Sequence, residues 1–164
     1  MAPQADMPGG NDILGRVRSV GGVLRVLQLL VGAGVWVTIA ANRYEGAIHF
    51  ALLISVLFWL LTLASFAITV LDKQDLVPLI GGQRWSLSNL VHDVVATALY
   101  APVIGIMAYK MQKNAYCNLE QYKHACFYKV YLTATVFAGL TTLAYLLSAT
   151  YRVVQKCRGQ TPPA

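Results

Sequence analysis

The stretch Leu52–Leu71, LLISVLFWLLTLASFAITVL, decides the fold. It belongs to a run of 26 residues between Glu45 and Asp72 that holds no Asp, Glu, Lys or Arg. A helix on the surface of a soluble protein sets a polar face against an apolar one at 3.6-residue spacing. Here only Ser and Thr break the apolar pattern, and their hydroxyls can bond to carbonyls of their own helix. A helix rises about 1.5 Å per residue, so roughly 20 apolar residues cross the ~30 Å hydrocarbon core of a bilayer. The stretch reads as a membrane span.

Working outward, three more runs have the same character. Seventeen uncharged residues, VLQLLVGAGVWVTIAAN, separate Arg25 from Arg43, and 22 separate Lys129 from Arg152. The 25 residues from Trp85 to Tyr109 are interrupted only by His92 and Asp93. The first run is short, but Arg25 can extend its charged head toward the interface. The predicted spans are about 22–42, 47–71, 86–109 and 130–151, within a four-span domain over 20–152 flanked by tails 1–19 and 153–164. The fold class is all-α, an integral membrane four-helix bundle. Composition agrees: 57% of residues are apolar and 12% charged, against about 25% charged in an ordinary soluble domain, and mean hydropathy is +0.54. A disordered chain, a disulfide-dense mini-protein and most soluble enzymes of 164 residues are excluded. The polar, turn-rich start MAPQADMPGGND is unlike a cleaved signal peptide, so the first span is expected to act as the insertion signal. No Asn is followed at +2 by Ser or Thr, so there is no glycosylation acceptor.

Four spans place both termini on one side. The tails and the Asp72–Arg84 loop hold eight cations, Arg16, Arg18, Arg25, Lys73, Arg84, Arg152, Lys156 and Arg158. The opposite side holds five, Arg43, Lys110, Lys113, Lys123 and Lys129. The excess predicts cytosolic termini. Cys117 and Cys126 flank NLEQYKHA in the loop between the third and fourth spans, which this orientation makes exoplasmic, and a disulfide is expected there. Its chain-entropy contribution is about 2.5–3 kcal/mol; two unrelated thiols are the alternative. His124 is near, but a fourth zinc ligand is missing, so no metal site is expected. Cys157, in RVVQKCRG just past the last span, is a candidate for S-palmitoylation or a free thiol. The first outer loop, near Asn42–Ala47, is too short for a folded extracellular domain, which argues against claudin-like and tetraspanin-like architectures.

An ionisable residue inside a span is a functional-site hypothesis by default. Asp93 lies about two turns into the third span, where the helix dipole favours a carboxylate, and Arg25 should sit at a similar depth. We expect an Arg25–Asp93 pair that locks the first span to the third, with Gln28 and His92 as polar neighbours. A proton-conducting role is the alternative, but the first, second and fourth spans offer no deeper ionisable group to continue a relay. Small residues mark helix contacts in lipid, because packing drives association there. On that ground Gly32 and Gly34 in the first span, Ala101 and Gly105 in the third, and Ala134 and Ala138 in the fourth are candidate packing positions. Bundling within the chain is the expected role, and dimerisation through an unused stripe the alternative. Pro102 removes a backbone donor and is expected to bend the third span.

Leu147, Tyr151 and Lys156 fit the loose pattern proposed for cholesterol contact, and the cationic tails suit anionic lipids or acidic cytoskeletal surfaces. The basic residues form no dense patch interleaved with aromatics, so nucleic acid is a poor partner. No P-loop, G-x-S-x-G, H-E-x-x-H or dinucleotide fingerprint is present. Neither catalytic residues nor a cofactor is expected.

These segments resemble the MARVEL-domain tetraspans, the MAL-like and physin-like class. The resemblance rests on LRVLQLLVGAGVWVTIA with Gln28, Gly32 and Trp36, on HFALLISVLFWLLTL, on Val91-His92-Asp93, on YCNLEQYKHAC and on YLLSA, and it covers roughly residues 20–158. It implies a four-helix bundle with cytosolic termini, no catalysis, and work in cholesterol-rich membrane regions, vesicle traffic or membrane apposition, at the plasma membrane or on trafficking vesicles. Two functions are carried forward. One is a non-enzymatic multi-pass organiser of membrane microdomains, alone or as a homo- or hetero-oligomer. The other is a membrane-anchored adaptor whose basic tails recruit cytoskeletal or signalling partners.

Overall fold

The computed structural model describes residues 10–42, 46–73, 84–118 and 126–159. Five α-helices follow one another: α1 Gly10–Arg18, α2 Val20–Ala40, α3 Ile48–Val70, α4 Trp85–Lys113 and α5 Tyr128–Cys157. A single 3₁₀ turn, Ala115–Cys117, follows α4. Helices α2 to α5 are long and apolar enough to cross a membrane. They form an antiparallel bundle in which α2 packs on α3 and α5, and α4 packs on α3 and α5, so that α2/α4 and α3/α5 are the diagonal pairs. One end holds the start of α2, the end of α3, the start of α4 and the end of α5; we call it the termini end, and the opposite one the loop end.

The helices form where the uncharged runs are, and their hydroxyls bond inward as the span reading requires. Ser55 donates to the Leu52 carbonyl at 2.9 Å, Thr62 to Phe58 at 2.7 Å and Thr69 to Ser65 at 2.8 Å. Helix α4 is continuous through Pro102 over 29 residues. Both ends outrun the expected spans, α4 reaching Lys113 and α5 reaching Cys157. Residues 10–18, read above as part of a tail, form α1. Ser19 breaks the chain between α1 and α2 in an extended conformation and caps α2 by accepting from the Gly22 N–H at 3.1 Å. Helix α1 folds against the end of α3, where Arg16 donates to the Thr69 carbonyl at 3.0 Å and pairs with Asp72 at 2.8 Å.

Many of the buried positions are small or polar, and many large aliphatics face out. Gly32, Ala51, Ser55, Ala96, Ala134, Ala138, Ala144 and Ser148 are buried, whereas Leu30, Leu53, Leu60, Val91, Leu143 and Leu147 are exposed. Lipid solvates a leucine as well as a protein interior does, so close packing selects small residues for the seams. Toward the loop end the core is apolar, with Val35, Ile39, Ile54, Val103 and Met107 buried together. Beyond it, Cys117 and Cys126 form a disulfide with Cα atoms 5.5 Å apart, tying the end of α4 to the approach to α5.

Candidate functional site

The polar side chains inside the bundle gather toward the termini end. Arg25 enters from the second turn of α2 and is buried. Its Nη1 donates to Asp93 Oδ1 at 2.7 Å and to Gln28 Oε1 at 2.8 Å, while Nη2 donates to Asn89 Oδ1 at 2.8 Å. Gln28, one helical turn on, donates through Nε2 to the Ala144 carbonyl of α5 at 3.3 Å. Asp93, 0% exposed, also accepts from Ser148 Oγ at 2.6 Å. His92 Nδ1 lies 3.0 Å from Asp93 Oδ1 and Arg152 Nε 3.6 Å from Asp93 Oδ2. One carboxylate thus joins α2, α4 and α5.

A second polar contact spans the other diagonal. Thr62 of α3 and Tyr145 of α5 are hydrogen-bonded at 2.7 Å, and the Tyr145 ring lies 5.8 Å from those of His92 and Tyr100. Among the described residues the chain of polar groups ends at Tyr100, whose buried hydroxyl has no hydrogen-bond partner. The apolar layer follows directly. The arrangement is suited to clamping helices, since an ion pair braced by further hydrogen bonds resists separation in a medium without water.

The sequence-derived candidates divide into those the fold brings together and those it does not. Arg25, Gln28, His92 and Asp93 meet in one cluster. Gly32 and Gly34 sit at seams: a Cβ on Gly32 would touch Trp59 at 3.4 Å, and one on Gly34 would lie 2.7 Å from the Phe137 ring. Trp36 meets Trp59 edge-to-face with ring centroids 5.5 Å apart. Ala134 and Ala138 are buried against the core. Ala101 and Gly105 are a correction: both are exposed, and nothing lies within 4 Å of a Cβ placed on Gly105. The rotation of α4 is set by burying Asp93, Ala96, Tyr100, Val103 and Met107, which turns the 101/105 pair to the outside. Cys157 is free and exposed. Arg43, Lys123 and His124 lie outside the described residues.

Sequence reasoning missed Asn89, Ser148 and Arg152 as members of the cluster. Helical spacing carried a signal for each. Asn89 precedes Asp93 by four residues and Ser148 precedes Arg152 by four, so each pair shares a helix face. Arg152 was counted among the terminal cations, yet its side chain is folded in and only 15% exposed. At the loop end a cavity of about 420 Å³ is lined by Lys110, Lys113 and Asn114 with the rings of Tyr116, Phe127 and Tyr131; none of the candidate residues reaches it.

Four apolar antiparallel helices, clamped by buried polar groups at one end and a disulfide at the other, define a multi-pass membrane protein of the four-span class. The chain belongs to the MARVEL family, whose model, described as a membrane-associating domain, matches residues 16–151. It is similar to MARVEL domain-containing protein 1 of Danio rerio, 67% identical over 144 residues that make up 88% of this chain and 89% of that protein. It is also similar to plasmolipin of Rattus norvegicus, 35% identical over 141 residues, and of Homo sapiens, 31% identical over 141 residues, each match covering 83% of this chain and 71% of the relative. No solved structure matches the chain.

Proposed function

We propose that this protein is a non-enzymatic organiser of membrane microdomains, acting in vesicle traffic or membrane apposition through contacts within the plane of the bilayer. The observation that carries the reading is the disposition of side chains. Arg25, Gln28, Asn89, Asp93 and Ser148 are turned inward, and the large hydrophobics offered to lipid and to neighbouring proteins are mostly Leu and Val. Such a molecule meets its surroundings mainly through its lipid-facing sides. Cholesterol, anionic lipids and further copies of this or related chains are the partners this reading invokes, at the plasma membrane or on trafficking vesicles. The termini are cytosolic in this reading, supported by the disulfide at the opposite end, since such bonds persist in oxidising compartments.

The adaptor reading depends on cations free to meet a partner. On the termini end Arg18, Lys156 and Arg158 are exposed, whereas Arg25 and Arg152 are folded into the bundle. Replacing Arg18, Lys156 and Arg158 by Gln together separates the two functions. Lateral clustering of the fluorescently tagged protein in intact cells is expected to persist. Loss of clustering in that variant would refute the microdomain reading, and unchanged clustering with loss of cytoskeletal neighbours in proximity labelling would establish the adaptor role.

A further inference from the structure

The buried cluster holds two arginines and one carboxylate, and the donors are divided unequally between them. Asp93 already accepts three hydrogen bonds, from Arg25 and His92 on Oδ1 and from Ser148 on Oδ2. Arg25 commits three of its five donors, to Gln28, Asp93 and Asn89. Arg152 is left with a 3.6 Å approach to Asp93 Oδ2, too long for a hydrogen bond, and its buried Nε has no hydrogen-bond partner among the described residues. A guanidinium carries five donors in a planar fork. This one is 15% exposed, and its buried Nε has only the Asp93 carboxylate near it, beyond hydrogen-bond distance. It also lies five residues before the end of α5 at Cys157, which is about 7–8 Å along the axis from that end. Arg152 directly follows the expected span 130–151, and at the edge of the hydrocarbon core the commonest anion is a headgroup phosphate.

We propose that Arg152, backed by the Arg25–Asp93 pair and His92, is a phosphate-binding site at the termini end of the α4–α5 seam, and that its ligand is the headgroup of an anionic phospholipid. The planar fork matches phosphate oxygens in pairs, and the phosphate supplies the negative charge that one carboxylate cannot provide to two arginines. Basic pockets between membrane helices at the headgroup level bind lipid headgroups on this principle. The site rests on the membrane reading alone and is independent of whether the protein clusters laterally.

The test uses the full chain in nanodiscs of phosphatidylcholine, with phosphatidylserine or phosphatidylinositol 4-phosphate added as the anionic probe. Retained lipid is counted by native mass spectrometry in about 0.5 M salt, where exposed charges are screened within a few ångströms. The wild type is expected to retain anionic lipid in preference to phosphatidylcholine. Arg152→Gln is expected to weaken that retention about five- to tenfold, and Arg152→Lys, which keeps the charge but loses the fork, to fall between. Lys156→Gln with Arg158→Gln is expected to leave it unchanged at that salt. Inorganic phosphate that displaces the lipid and raises Tm in neutral detergent, with the same dependence on Arg152, would keep the phosphate site and assign it a free anion. Absence of any anionic preference in the wild type, which needs no variant to fold, would overturn the proposal. So would retention by Arg152→Gln equal to wild type, or an equal loss in the Lys156/Arg158 variant.

Discussion

Asp93 is the residue on which the termini end of the bundle depends, because it is the anion toward which two buried or half-buried arginines are turned. Removing one partner of a buried pair leaves the other charge uncompensated, a loss of about 3–5 kcal/mol. Asp93→Asn is therefore expected to lower thermal stability in detergent and surface expression sharply; unchanged values for both would refute the clamp. Arg25→Gln in the Asp93→Asn background is expected to restore part of the loss, and a double-mutant cycle measures the coupling. Outside the spans, Asp72 behaves differently. The hydrogen bond from Arg16 holds its carboxyl below the ordinary value of 3.8. A group with a depressed folded pKa contributes stability above its unfolded pKa and loses it as pH falls through the folded one. The Arg16–Asp72 contact should thus persist through mildly acidic pH and release only below the ordinary range. Titration of the Asp72 carboxyl by NMR is expected to show a midpoint below 3.8, returning to it in Arg16→Gln. Arg25 and Asp93 were legible in the sequence because a charge in an apolar run is conspicuous. Asn89, Ser148 and Arg152 were not, because a neutral polar residue or a charge near a helix end is common and the partner across the bundle is not encoded locally.

At the scale of the element, glycines report which helix faces are packed. Gly34 faces Phe137 so closely that an added Cβ would lie 2.7–2.8 Å from the ring. Gly34→Ala should cost about 1–3 kcal/mol by overpacking, read as a lowered Tm. Gly105→Ala meets nothing within 4 Å and should be neutral or stabilising by up to about 1 kcal/mol from helix propensity. Equal effects of the two substitutions would contradict the rotation of α2 and α4. Gly22 is a third case: its absent Cβ would meet the Arg16 carbonyl and, at 2.7 Å, that of Val17. Neither oxygen can move without disturbing α1, so Gly22 is what lets α1 fold back at Ser19. Small residues in the sequence suggest contact material but do not say which way each helix turns. Hence Ala101 and Gly105, spaced like a seam, ended on the outside.

The whole molecule is held at both ends by different means. Hydrogen bonds at the termini end join both diagonals of the bundle, α2 to α4 through Arg25 and α3 to α5 through Thr62 and Tyr145. At the loop end the Cys117–Cys126 bond closes a short loop after α4. Its reduction, or Cys117→Ser with Cys126→Ser, is expected to lower stability by about 2.5–3 kcal/mol, measured as a fall in Tm with the helical far-UV signal retained. The number of spans was legible in the sequence, because crossing a bilayer demands about 20 uncharged residues. The Cys117–Cys126 pairing is expected because both cysteines fall in one loop between spans. The rotation of each helix, the inward fold of Arg152, the helix α1 and the choice of Asp93 as a shared anion were decided by tertiary structure. Those outcomes depend on how four seams close at once, and lipid, which solvates every apolar face alike, leaves no hydrophobic stripe in the sequence to announce them.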